Sequence, residues 1–183
     1  SGVLTPYGID GEYRGGAGTA VADLIETVKG LTTDPDVRGV VFDFNSPGGS
    51  STLIPEAVDA IRALSFEKPT MSLVQGGFCC SGAIFLAAGT RQIFATRGAV
   101  VGSIGTYIAV ADTSKLAEKV GIQVHVIRST PLKGLGVPGE PITDAFRAEL
   151  QRFVDTINAD FLDAISIGRG LKGDRLDAIA TGQ

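Results

Sequence analysis

A serine attacks a carbonyl carbon only when a neighbouring group takes its proton. Ser81 stands in "GGFCCSGAIFLAAG" (76–89), among small residues and ahead of an apolar run of helical character. By itself it reads equally well as the N-cap of that helix. The base decides between the two readings. The chain has one histidine, His125, in the alternating segment "IQVHVIRS" (122–129), on the face of Gln123 and Ile127. A histidine on a sheet face packs or meets solvent as readily as it catalyses, so a Ser-His-Asp triad is disfavoured. Lysine is the other option, because a buried amine falls below its ordinary pKa of about 10.4 and becomes a base. Lys29, Lys68, Lys115, Lys119 and Lys172 lie on or beside helical segments, where a solvated charge is the default. Lys133 differs. It lies in "RSTPLKGLGVPGEP" (128–141), a Gly/Pro loop poor in charge, and is the candidate base; a plain exposed loop lysine is the alternative.

Acyl transfer also needs backbone N–H groups aimed at the developing negative charge. "NSPGGSS" (45–51) follows a β-rich run and precedes a helical one. Gly48 and Gly49 let the backbone approach a ligand closely. The turn is not a phosphate loop of the Walker type, since no lysine follows the glycines. Gly82, directly after Ser81, stands where the residue after a nucleophile often donates a further N–H. A tight turn without function explains "SPGGS" equally well when it is taken alone.

Elements that could hold these residues follow from periodicity. Residues 1–16 are rich in glycine and turn formers and read as a loop. Helical spacing marks 19–31, 52–64 with Pro55 near its start, 81–89, 113–121, 142–170 and 173–182. Strands are expected at 37–45, 69–76 and 122–129, with two or three more within 91–112. The alternation predicts an α/β fold in a single domain over 1–183. The missing initial methionine and the end at "IATGQ" read as a piece of a longer chain.

The 183 residues are 44% hydrophobic and 20% charged, which suits a globular core, and the net charge of -4 argues against a nucleic-acid partner. No apolar run reaches the roughly 18 residues of a bilayer span. Cys79 and Cys80 are adjacent and read as small buried residues, and no metal-ligand spacing is recognisable.

"DFNSPGGS", "CCSGAIFLAAG" and "IFATRGAVVGSIGTYIAVADTSKLAEKVGIQVHVIRSTPLKG" occur in that order. Together they resemble the bacterial signal peptide peptidases, the SppA-type serine proteases, and the phage relatives that mature capsids. The resemblance implies an α/β fold of stacked ββα units of the Clp protease/crotonase type. It implies a Ser–Lys dyad without cofactor, with Ser81 as nucleophile, Lys133 as general base and Ser103 orienting that lysine. Gly48 or Gly49, with Gly82, would form the oxyanion hole. A peptide or protein substrate is implied, with a homo-oligomer whose active sites are shared between subunits. The setting would be the bacterial cytoplasm, its membrane surface or a phage prohead. Three other readings compete with this one: a crotonase-type acyl-CoA enzyme, an inactive oligomeric scaffold, and a Clp-type protease using His125.

Overall fold

The computed structural model describes residues 2–7 and 18–183. The chain divides into two compact units, Ser1–Gly105 with Asn158–Gln183, and Thr106–Ile157.

In the first unit β1 (Leu4–Thr5) pairs in parallel with β2 (Thr19–Ala20), which runs into α1 (Val21–Thr33). Next come β3 (Val40–Asp43), α2 (Ile54–Glu67), β4 (Thr70–Val74), β5 (Phe78–Cys80), α3 (Gly82–Ala87), β6 (Gln92–Ala95) and β7 (Val100–Gly102). Every ladder among the described residues is parallel. The order β3-β4-β6 forms one sheet and β5-β7 another. Parallel neighbours require a crossover between them, and α2 supplies it between β3 and β4. Ile54, Val58, Ile61 and Leu64 recur at helical spacing and are all buried, so α2 presents one apolar stripe to the core. Val21 and Val28, seven apart, do the same for α1. The core is completed by α3, whose six residues are all buried. The Phe85 ring stacks on Phe161 with centroids 4.5 Å apart. Phe161, Ala164 and Ile165 are the buried residues of α5 (Asp144–Arg169), and α6 (Asp174–Asp177) follows.

The second unit contains α4 (Ser114–Lys119), the segment 122–128, the Gly/Pro loop and the start of α5. Side-chain polar contacts organise it. Asp112 accepts hydrogen bonds from Ser114 N, Ser114 Oγ and Ile142 N. Arg128 Nη2 bonds both carboxylate oxygens of Glu140 at 2.7 Å. Gly139 N donates to Thr113 Oγ1 at 2.9 Å. No residue of Thr106–Ile157 is buried.

Three expectations shift. The loop read over 1–16 contains a strand at Leu4–Thr5, and residues 1 and 8–16 of it lie outside those described. "FCC" forms β5, a strand too short for periodicity to reveal. The segment 122–129 forms no strand among the described residues. Its alternation is real: Val124 and Val126 are half-buried, while Gln123, His125 and Ile127 are exposed. Alternation reports a half-covered row of side chains, whereas a strand needs a neighbour to complete its ladder. Among the described residues no helix is long and apolar enough to cross a membrane.

Candidate active site

Ser81 occupies the one-residue junction between β5 and α3. Its backbone takes φ 51° and ψ −123°, a region that non-glycine residues avoid. Such strain persists only where the surroundings impose it, and it gathers at functional positions. Two contacts impose it here. Ser81 N donates to Gly102 O at 3.0 Å, and Ser81 O accepts the first helical bond from Phe85 N at 3.1 Å. Ser81 stands at the N-cap position of α3, as its alternative reading expects, but its hydroxyl makes no capping bond to the helix. A strand that turns sharply into a helix at a strained serine is the local geometry of a nucleophile elbow.

Ser103 is placed by the same pair of strands. Cys80 and Gly102 are register partners in β5 and β7, so Ser81 and Ser103 are the next residue on each. Ser103 also takes positive φ, 54°.

The glycine turn wraps around the junction. Gly48 has φ +103°, and a Cβ there would lie 2.6 Å from Ser81 Cβ and 3.0 Å from Gly82 N. Only glycine allows that approach. Gly48 N–H is already donated to Ser46 Oγ at 3.1 Å. Gly49 and Gly82 differ from it: their N–H groups meet no acceptor among the described residues. A Cβ on Gly82 would sit 3.8 Å from Gly49 N, which makes the two amides neighbours.

Ser46 is the residue that sequence reasoning passed over. It is 4% exposed. Its N–H donates to Phe78 O at 2.7 Å, its carbonyl accepts from Cys80 N at 3.1 Å, and its hydroxyl holds Gly48. One residue thus fixes both the strand that delivers Ser81 and the turn beside it. The signal was a serine two positions before a glycine, the spacing at which a hydroxyl closes a local turn.

Lys133 lies in the second unit, exposed, with its N–H bonded to Thr130 O at 3.1 Å. Its ammonium group has no hydrogen bond or ion pair among the described residues. His125 is exposed in the same unit. Cys79, by contrast, is fully buried next to the site, and burial followed by the neighbouring Cys80 pushes its thiol up to about 12. That thiol is therefore a poor candidate nucleophile. The first unit thus assembles Ser81, Ser103, Gly48, Gly49 and Gly82 around one strand end, and the arrangement suits attack on a carbonyl with the resulting oxyanion held by backbone amides.

The profile of peptidase family S49 matches residues 62–183. This chain belongs to peptidase family S49. The S49 match covers Ser81, Ser103 and Lys133, and the elements alternate as an α/β fold with parallel sheets. A Methanocaldococcus jannaschii protein provisionally named as a protease is 30% identical over 87% of this chain and 51% of its own length. Capsid assembly protease C of Escherichia phage lambda is 28% identical over 92% of this chain and 36% of its own. A protein of Enterococcus faecium provisionally named as signal peptide peptidase SppA is 27% identical over 88% of this chain and 47% of its own. The S49 chain therefore spans about half the length, or less, of these relatives.

Proposed function

We propose that this S49 chain is a serine endopeptidase that uses Ser81 as nucleophile and Lys133 as general base. The observation that carries the reading is the backbone of Ser81, strained at a strand-to-helix junction beside two neighbouring glycine amides. Neutral Lys133 Nζ takes the proton of Ser81 Oγ. Oγ bonds to the substrate carbonyl carbon, and the oxyanion is held by the N–H groups of Gly49 and Gly82. Gly48, whose N–H is engaged by Ser46, shapes the turn. The C–N bond then breaks, and the Lys133 ammonium returns its proton to the leaving amine. Water, deprotonated by Lys133, releases the acyl group and restores Ser81. Ser103 orients the lysine. The reaction needs no metal or cofactor.

The base must be neutral when it acts, and a solvated ammonium is a poor base. The reading therefore requires a surface that covers Lys133. The second unit calls for a cover on separate grounds: it carries Lys133, has no buried residue, and exposes Tyr107 (86%), Leu116, Val120, Ile127 (95%) and Phe153. Exposed apolar surface on that scale marks an interface. A second copy of the chain is the proposed cover, which makes the active enzyme a homo-oligomer with sites shared between subunits. The names of the relatives support protein substrates, either signal or membrane-derived peptides at the bacterial membrane surface or in the cytoplasm, or scaffold and capsid proteins in a prohead.

The test is hydrolysis of an unstructured protein by wild type, Ser81→Ala, Lys133→Ala and His125→Ala. Loss in the first two variants with His125→Ala fully active is the expected result. Full activity of Lys133→Ala, or loss in His125→Ala, contradicts the dyad. An equimolar mixture of Ser81→Ala and Lys133→Ala that regains activity supports shared sites, and a fully active monomer rules them out.

A further inference from the structure

The turn Gly48–Gly49 is gripped from outside the loop by the first strand of the chain. Leu4 N donates to Gly48 O at 2.8 Å, and Leu4 O accepts from Ser50 N at 3.0 Å. These bonds bracket Gly49 in an isolated parallel bridge with Leu4. Gly49 itself is bonded on neither side by Leu4, so its own N–H faces away from β1. The approach is close enough that a Cβ on Gly49 would fall 2.1 Å from Leu4 O. Gly2 N adds a bond to Asn45 O at 2.9 Å, just ahead of the turn. The Leu4 side chain reaches the other half of the site. It is 4% exposed, and its Cδ1 lies 3.2 Å from where a Cβ on Gly82 would stand, with Ile54 Cδ1 beside it at 3.7 Å.

We propose that Leu4 is a positioning residue for the oxyanion site, its backbone setting the Gly49 amide and its side chain setting the Gly82 amide. The proposal rests on the serine peptidase reading above. Leu4 supplies the atom nearest to the Cβ position of both glycines, once their own chain neighbours are set aside. Oxyanion donors act through sub-ångström placement, so packing that sets two of them together bears on turnover more than on substrate affinity. Leu4 touches neither nucleophile nor substrate; it acts through the amides.

The experiment compares steady-state cleavage of a peptide amide by the full-length protein as wild type, Leu4→Ala, Leu4→Met, Val28→Ala and Ser81→Ala, with thermal midpoints measured in parallel. Val28 is 1% exposed in α1 and serves as an equally buried truncation. The expected result is a kcat about 10- to 100-fold lower in Leu4→Ala with KM within about twofold, and most of the loss recovered in Leu4→Met. Val28→Ala is expected to lower the midpoint yet keep kcat. Leu4→Ala with wild-type kcat, or Val28→Ala losing kcat equally, overturns the proposal while leaving Ser81-dependent cleavage intact. Ser81→Ala as active as wild type overturns the peptidase reading and the proposal together. If Leu4→Ala does not fold, Leu4→Val carries the same comparison with the same outcomes.

Discussion

Ser81 and Ser103 leave two paired parallel strands at matched positions, directly after the partners Cys80 and Gly102, and both do so with positive φ, 51° and 54°. The β5–β7 ladder therefore delivers two hydroxyl-bearing residues side by side in chain register, each in a backbone conformation that costs on the order of 1–3 kcal/mol.

That cost is testable at Ser81, the proposed nucleophile. Glycine accepts positive φ without a Cβ penalty. Ser81→Gly is expected to stabilise the fold by up to about 1 kcal/mol, or about 2–4 °C in Tm, while abolishing hydrolysis. Ser81→Ala keeps the strain and gains nothing in Tm. Calorimetry on the three proteins decides the matter; a Tm for Ser81→Gly below that of Ser81→Ala contradicts the strain argument.

Ser46 couples the glycine turn, the proposed oxyanion site, to β5. Its hydroxyl accepts Gly48 N–H at 3.1 Å in a buried setting. Ser46→Ala leaves that N–H without its partner, at a cost of about 1–3 kcal/mol. The expected result in denaturant titration is a midpoint shift of that size with unchanged slope, accompanied by a kcat loss of at least about tenfold. Ser46→Thr, which keeps the hydroxyl, should retain more of both.

The second unit carries a pH signature. Hydrogen bonds from the Ser114 hydroxyl, the Ser114 N–H and the Ile142 N–H hold the Asp112 carboxyl down to about 2, below its ordinary 3.8. A carboxyl lowered in the folded state stabilises above its unfolded pKa, and the gain is lost as pH falls through the folded one. The stability difference between wild type and Asp112→Asn should thus be full at pH 5 and shrink steadily between about pH 4 and pH 2. A difference constant over that range contradicts the assignment.

How much of this is legible in the sequence follows from what each element depends on. The α2 stripe of Ile54, Val58, Ile61 and Leu64 and the β-branched run at β3 are local patterns, and they appear where periodicity places them. Leu4–Thr5 and "FCC" are strands because of what lies beside them, and nothing local marks a two- or three-residue strand. The 122–129 segment errs the other way, since its side-chain alternation is present without a ladder. At the site, residue type alone points to Ser81, Gly48, Gly49 and Gly82, yet the strain at Ser81 and the engagement of Gly48 by Ser46 are three-dimensional facts. They distinguish two glycines that look interchangeable in the sequence: the Gly48 N–H is engaged and the Gly49 N–H meets no acceptor among the described residues. The charge-poor Gly/Pro loop singles out Lys133, the likeness of "GSIGTYIAVADTSKLAEKVGI" to the family points to the same residue, and the S49 match spans that lysine.

Cysteine offers an internal control on nucleophile identity. Burial raises the Cys79 thiol to about 12, so the thiolate is scarce at neutral pH. Native protein treated with iodoacetamide at pH 7 is expected to leave Cys79 unmodified, with modification only after denaturation. Rapid native alkylation of Cys79 contradicts the burial argument and opens a thiol route to any inhibition by alkylating agents.

The central claim is that Ser81 is an activated nucleophile. The most direct measurement is intact mass after treatment with a fluorophosphonate, on wild type, Ser81→Ala and Lys133→Ala, followed by peptide mapping. One adduct per chain on wild type alone, located on Ser81, is the expected result. A folded, oligomeric wild type that stays unlabelled, or an adduct that persists in Ser81→Ala, contradicts it.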